Sequence, residues 1–166
     1  MSSLAEILAA RDARRSRQLE LLAEYPEKAL VVLTVVLPGS VKRNAQSLLI
    51  AREAWRTLDE CFARLTLHAE QHDLDTGFEG YRVVDLEPRA AKLLTLQIED
   101  EHPLGRLFDL DVVLPGGIPL SREVMGRPPR RCMLCNEAAR FCMRNHTHSL
   151  NDLLAHVDRM IADYVG

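Results

Sequence analysis

Residues 29–37 read Ala29-Leu30-Val31-Val32-Leu33-Thr34-Val35-Val36-Leu37, a β-branched run closed by Pro38-Gly39. It is long for a loop and short for a helix, so it reads as a strand buried on both faces, and such a strand lies centrally in its sheet. The uncharged stretch around it, Ala29 to Val41, holds 13 residues, short of the roughly 20 that cross a bilayer. No membrane span is expected. The 166 residues are 47% hydrophobic and 27% charged, with 21 Lys plus Arg against 24 Asp plus Glu for a net charge of −3. That describes one compact domain over 1–166, burying about 70% of its unfolded surface. The charge balance argues against a nucleic-acid partner, which is held by surplus cations. Four Cys without a secretory signal point to thiols or metal ligands in a reducing compartment. The first 20 residues have the Arg, Ala and Ser content of a transit peptide. Glu6, Asp12 and Glu20 interrupt it and no cleavable apolar segment follows, so a cytoplasmic protein is expected.

Upstream, Leu4, Ile7, Leu8, Leu19 and Leu22 recur at helical spacing over residues 4–24, with Ser2 or Ser3 to cap the first turn and Tyr25-Pro26 to stop the last. Arg11, Arg14 and Gln18 share one face of that helix, either a solvated face or a ligand wall. Downstream, Asn44 or Ser40 caps a second helix running to about Ala69, whose buried stripe is Leu48, Ala51, Trp55, Leu58, Phe62 and Leu65. Trp55 and Cys61 read as core. His68 to Gly80 lacks periodicity and reads as a loop. Three strands are predicted at 81–87, 92–99 and 107–114, with a short edge strand at 118–120. An Arg-rich loop, Arg122 to Arg131, leads to a short helix near Cys135 to Cys142 and a final helix from about Ser149 to Tyr164. The expected architecture is α+β: a single domain with a mixed sheet of about four or five strands and helices packed on one side.

In Leu107-Phe108-Asp109-Leu110-Asp111-Val112-Val113, alternation sends the apolar residues to one face and both aspartates to the other. Two carboxylates with Cβ atoms roughly 7 Å apart can share Mg²⁺, a hard ion that takes carboxylates together with water and phosphate oxygens. That arrangement suits in-line transfer at phosphorus. A bare Asp-x-Asp fits a solvated strand face equally well. An acidic pair on a strand also resembles the nucleotidyltransferase fold, with the departure that Gly39-Ser40 lies about 70 residues before the pair. Glu99, taken as part of a hairpin partner strand, falls about 13 Å away and is set aside as a third ligand. Asp85, Glu87 and His102 are the remaining acid and base groups nearby, and the spacing selects none of them.

The segment His102-Pro103-Leu104-Gly105-Arg106-Leu107-Phe108-Asp109-Leu110-Asp111-Val112 resembles the signature of the apo-citrate lyase phosphoribosyl-dephospho-CoA transferases, also called citrate lyase holo-acyl-carrier-protein synthases. The resemblance extends to Arg11-Asp12-x-Arg14-x-x-Arg17-Gln18, Pro38-Gly39-x-x-Lys42 and Pro128-Pro129-Arg130-Arg131-Cys132-x-x-Cys135, and on through Cys142, Arg144, His148 and Leu150 to Asp152-Leu153-Leu154. It implies a cytoplasmic nucleotidyltransferase that moves phosphoribosyl-dephospho-CoA from triphosphoribosyl-dephospho-CoA to a serine of the citrate lyase acyl carrier subunit, releasing pyrophosphate. Asp109 and Asp111 would hold Mg²⁺, and Arg106 would act beside them. Lys42, Arg130, Arg131, Arg11, Arg14 and Gln18 would bind the substrate, since Arg forks suit phosphate oxygens. The same transfer to the malonate decarboxylase carrier protein is the near alternative.

A different class of reading rests on Cys132-x-x-Cys135, Cys142 and then His146 or His148, which can close a tetrahedral Zn²⁺ site in a non-catalytic interaction knuckle. His148 is the ligand that the family pattern favours. The same residues also fit three partly buried thiols around a short helix.

Overall fold

A computed structural model describes residues 2–166. Helix α1 spans Leu4–Glu24 and begins in a capping box: the Glu6 amide donates to Ser3 Oγ and the Ser3 amide to Glu6 Oε2. Strand β1 is Ala29–Val35, with five fully buried residues in succession. Helix α2, Ala45–Phe62, starts from a second capping box between Asn44 and Ser47. Strands β2, Thr66–Leu74, and β3, Gly77–Val84, form a hairpin. Helix α3, Pro88–Glu101, has Pro at its first position, where its missing N–H costs nothing. Strand β4, Phe108–Leu114, and the two-residue β5, Ile118–Pro119, complete the sheet in the order β2-β3-β1-β4-β5. Helices α4, Ala139–Asn145, and α5, Leu150–Val165, follow, the latter capped by Ser149. Residues through Leu120 make one compact unit and Ser121–Gly166 a second. No helix is long and apolar enough to cross a membrane among the described residues.

The α+β class, the central place of β1 and the number of strands agree with the sequence. Four expectations change. Every strand pairing is antiparallel, where a mixed sheet is expected. Residues 92–99 are helical, and residues 66–74 form a strand where a helix end and loop are expected. The helices of the first unit take both faces of the sheet. Leu21 of α1 packs with Leu30, Val32, Tyr81, Val83 and Val113 on one face. The residues alternating with these belong to the other face, where Arg82 lies over Trp55 of α2 at 4.5 Å and pairs with Asp59. Trp55 is half-buried there, and a Cβ on Gly80 would come within 2.6 Å of its ring, so only glycine lets the helix settle this close.

Candidate functional site

The register places the acidic pair. Asp109 sits opposite Thr34 and Asp111 opposite Val32, so both carboxylates share the sheet face that α1 crosses. Thr34 Oγ1 donates to Asp109 Oδ2 at 3.3 Å. On the neighbouring strand the buried Glu79 accepts from Tyr81 Oη at 2.9 Å and from Arg14 Nη1 at 3.1 Å. Arg14 is thereby held over the face that carries the aspartates. Burial, with Asp109 beside it, pushes the Asp111 carboxyl up to about 6, against the opposing pull of Lys92 and Arg14.

Helix α3 positions β4 from its outer edge. Because β5 pairs only with Val113 and Leu114, the edge at Leu110 has no strand neighbour. Two buried side chains take that place: Glu99 Oε2 accepts the Leu110 amide at 2.9 Å, and Lys92 Nζ donates to the Leu110 carbonyl at 3.4 Å. Leu110 is thus fixed through its backbone between the two aspartates. The sequence expectation that Glu99 is remote rests on a strand that is a helix, and it is overturned. Glu99 grips β4 itself, and its charge adds to the rise of the Asp111 carboxyl. Gly105 permits this arrangement, since a Cβ there would run into the carbonyl oxygens of Ile98 and Glu99 at the end of α3.

Beside the pair, a cleft of about 230 Å³ is lined by Ile7, Ala10, Arg11 and Arg14 of α1, by Thr34 and Val35, and by Lys42 and Phe78. Lys42 Nζ donates to the Leu37 carbonyl at 2.9 Å, and burial lowers its ammonium below the ordinary lysine range. The cleft therefore gathers Arg11, Arg14 and Lys42, and its lining residue Thr34 connects it to Asp109, while neither aspartate lines it. Gln18 lies farther along α1, half-buried and outside the cleft lining. Arg106 stands half-buried in the 3₁₀ turn Gly105–Leu107 that leads into β4. Thr34, Glu79 and Tyr81 are the members that the sequence reading missed. Thr34 carried a signal, as the one polar residue in the apolar run of residues 29–37.

The other acid and base groups have different tasks. Asp85 pairs with Lys28 beyond the far end of β1, six residues from Thr34 and so about 20 Å away. Glu87 caps α3. His102 accepts the Leu104 amide through Nδ1 and packs on Phe108, and burial lowers its pKa.

The second unit holds the remaining predicted residues. The Arg130 carbonyl accepts the Ala139 amide, and Arg131 forms a β-bridge with Ala138. Cys132, Cys135, Cys142 and His148 present one ligand atom each within 4.8 Å of one another, the one such group of three or more His, Cys, Asp or Glu among the described residues. Cys61, expected in the core, is a half-buried thiol on α2.

Comparison with known proteins places the sequence in a family. The sequence profile of the family described as apo-citrate lyase phosphoribosyl-dephospho-CoA transferase matches residues 2–164. Curated relatives of that name from Escherichia coli O7:K1 (strain IAI39 / ExPEC) and Escherichia coli O157:H7 (strain EC4115 / EHEC) are each 36% identical over 173 aligned residues, covering 97% of this chain and 89% of the relative. The relative from Shigella boydii serotype 18 (strain CDC 3083-94 / BS512) matches equally. With nearly the whole chain matched in both comparisons, the protein belongs to the apo-citrate lyase phosphoribosyl-dephospho-CoA transferase family.

Proposed function

We propose that this protein transfers phosphoribosyl-dephospho-CoA from its triphosphoribosyl precursor to a serine of the citrate lyase acyl carrier subunit, releasing pyrophosphate. Family membership supplies the substrates in this reading. The observation that carries the chemistry is the placement of Asp109 and Asp111 on the α1 face of β4 beside a cleft lined by Arg11, Arg14 and Lys42. The serine Oγ forms a bond to the α-phosphorus and gives up its proton, the bridge to the β-phosphate breaks, and pyrophosphate leaves in line.

Asp109 and Asp111 would hold Mg²⁺. Their oxygens are hard donors, and a carboxyl pushed up to about 6 by burial and a like neighbour is stabilised by a cation. When bound, the ion supplies charge neutralisation on the triphosphate. The protein's own groups do the positioning. Thr34 orients Asp109, Glu79 holds the Arg14 fork ready for phosphate oxygens, and Glu99 with Lys92 keeps β4 from shifting along its open edge.

The test is the intact mass of apo carrier subunit after incubation with this protein, triphosphoribosyl-dephospho-CoA and Mg²⁺. The reading expects a gain equal to the phosphoribosyl-dephospho-CoA group, absent with Asp111→Asn. No gain on a competent citrate lyase carrier overturns it. A gain on the malonate decarboxylase carrier alone would keep the chemistry and replace the acceptor.

A further inference from the structure

The second unit spans only 46 residues, Ser121–Gly166, and its buried apolar side chains are Cys142 and Val157. A segment of that size with so little core of its own is commonly held by a disulfide or a bound metal. Its chain path delivers one. After the bridge between Arg131 and Ala138, the Cys132 amide donates to the Glu137 carbonyl at 2.8 Å, which closes a tight turn carrying Cys132 and Cys135. The Leu134 amide points back at Cys132 Sγ from 3.4 Å, as a donor does toward a sulfur carrying negative charge. Helix α4 supplies Cys142. At its end His146 adopts a left-handed conformation, φ 48°, and turns the chain so that His148 comes back to the thiols. Cys135 Sγ lies 3.5 Å from Cys142 Sγ and 3.4 Å from His148 Nε2.

These distances select the chemistry. A disulfide would bring its sulfurs to about 2.05 Å, and all four cysteines are free. A tetrahedral Zn²⁺ with Zn–S near 2.3 Å places its ligand atoms about 3.5–3.8 Å apart. Three thiolates and one imidazole are a soft, four-ligand set that suits Zn²⁺ and leaves no open position for substrate. We propose that Cys132, Cys135, Cys142 and His148 bind one structural Zn²⁺ that organises residues 121–166. The four residues include neither aspartate of the acidic pair, and the proposal does not rest on the transfer reaction. Zn²⁺ fixes the turn after Arg131 to α4 and to the start of α5, standing in for the apolar core that this unit lacks. His146, two residues away and committed to ending α4, is not a ligand.

The experiment uses the full-length protein, purified without chelator, and reads metal content by elemental analysis. One zinc per chain is expected, unchanged in Cys61→Ser and His146→Ala. His148→Ala should bind zinc at least about tenfold more weakly, and Cys135→Ser and Cys142→Ser should lose it. Should those variants fail to fold, the metal-stripped wild type is titrated with Co²⁺. Intense visible ligand-field absorption together with thiolate-to-cobalt charge transfer at one equivalent supports a tetrahedral thiolate site. Absence of those bands, zinc well below one per chain, or full zinc retained by Cys135→Ser overturns the proposal. So does equal loss of zinc in His146→Ala.

Discussion

Glu70 and Asp111 stand at the two ends of one row across the sheet, Glu70–Tyr81–Val32–Asp111, on the same face and about 14 Å apart. Glu70 is saturated with donors. Arg17 binds it through Nη2 at 2.6 Å and through Nε at 3.1 Å, while His68 and His72 meet it at 2.7 and 2.6 Å from the same strand. The Arg17 hydrogen bonds, with help from His72 and His68, hold its carboxyl at about 2 despite burial. Asp111 has burial and Asp109 raising it, and its carboxyl stands at about 6. One fold has completed the first carboxylate and left the second to be completed by something that binds. The first is a tie between α1 and the β2 edge, and in the proposed function the second is the place of a cation.

Neutralising either end of the row should have very different effects. Asp111→Asn or Asp109→Asn should reduce transfer by about 10³-fold or more, whereas Glu70→Gln should leave the rate within about threefold. Timed carrier modification measures both.

Stability should move in opposite directions. Glu70 has its pKa lowered from 4.5, so its contribution is present above that value and fades as the pH falls toward 2. Glu70→Gln should cost about 1–2 kcal/mol at pH 7 once solvent screening is allowed for, with the deficit shrinking in acid. Asp111 has its pKa raised from 3.8, so the stability associated with its proton is present below that value and is lost as the pH rises through about 6. Asp111→Asn should therefore gain about 2 kcal/mol at pH 8 and much less at pH 4. Urea denaturation across that range decides the sign.

Two smaller effects sharpen the picture. The acidic limb of kcat/KM should have its midpoint near pH 6 at low Mg²⁺ and move lower at saturating Mg²⁺. Arg14→Gln should raise KM for the triphosphate about tenfold and change kcat less, because its fork is held by Glu79 and aimed at the substrate.

The legible parts of the fold were those where apolar pattern and caps agree. Helix α1 with its Ser3 cap, the apolar run of β1 and the alternation Phe108, Leu110, Val112 all read true. Helix α3 was hidden because three of its buried positions, Lys92, Thr95 and Glu99, are polar. With those removed, Leu94, Leu96 and Ile98 imitate the alternation of a strand. Pro88 followed by Ala90-Ala91 was the counter-signal. Strand β2 was hidden for the opposite reason. As an edge strand with His68, Glu70 and His72 on its inner face it offers no apolar alternation. The same error concealed part of the site, since Glu99 reaches β4 only from a helix. Arg14 and Lys42 were legible as residues, but the cleft they share depends on α1 lying over the face opposite α2, a choice made by packing rather than by local pattern.

In the proposed function the acidic pair on β4 is held ready for a cation and a triphosphate. Carboxyl ¹³C NMR titration of the aspartates and glutamates, with Asp111→Asn and Glu70→Gln to assign the signals, tests it most directly. Asp111 is expected to titrate near 6 without metal and well below that on adding Mg²⁺, while Glu70 stays near 2 in both. An Asp111 that titrates at its ordinary value near 3.8 and does not respond to Mg²⁺ would contradict it.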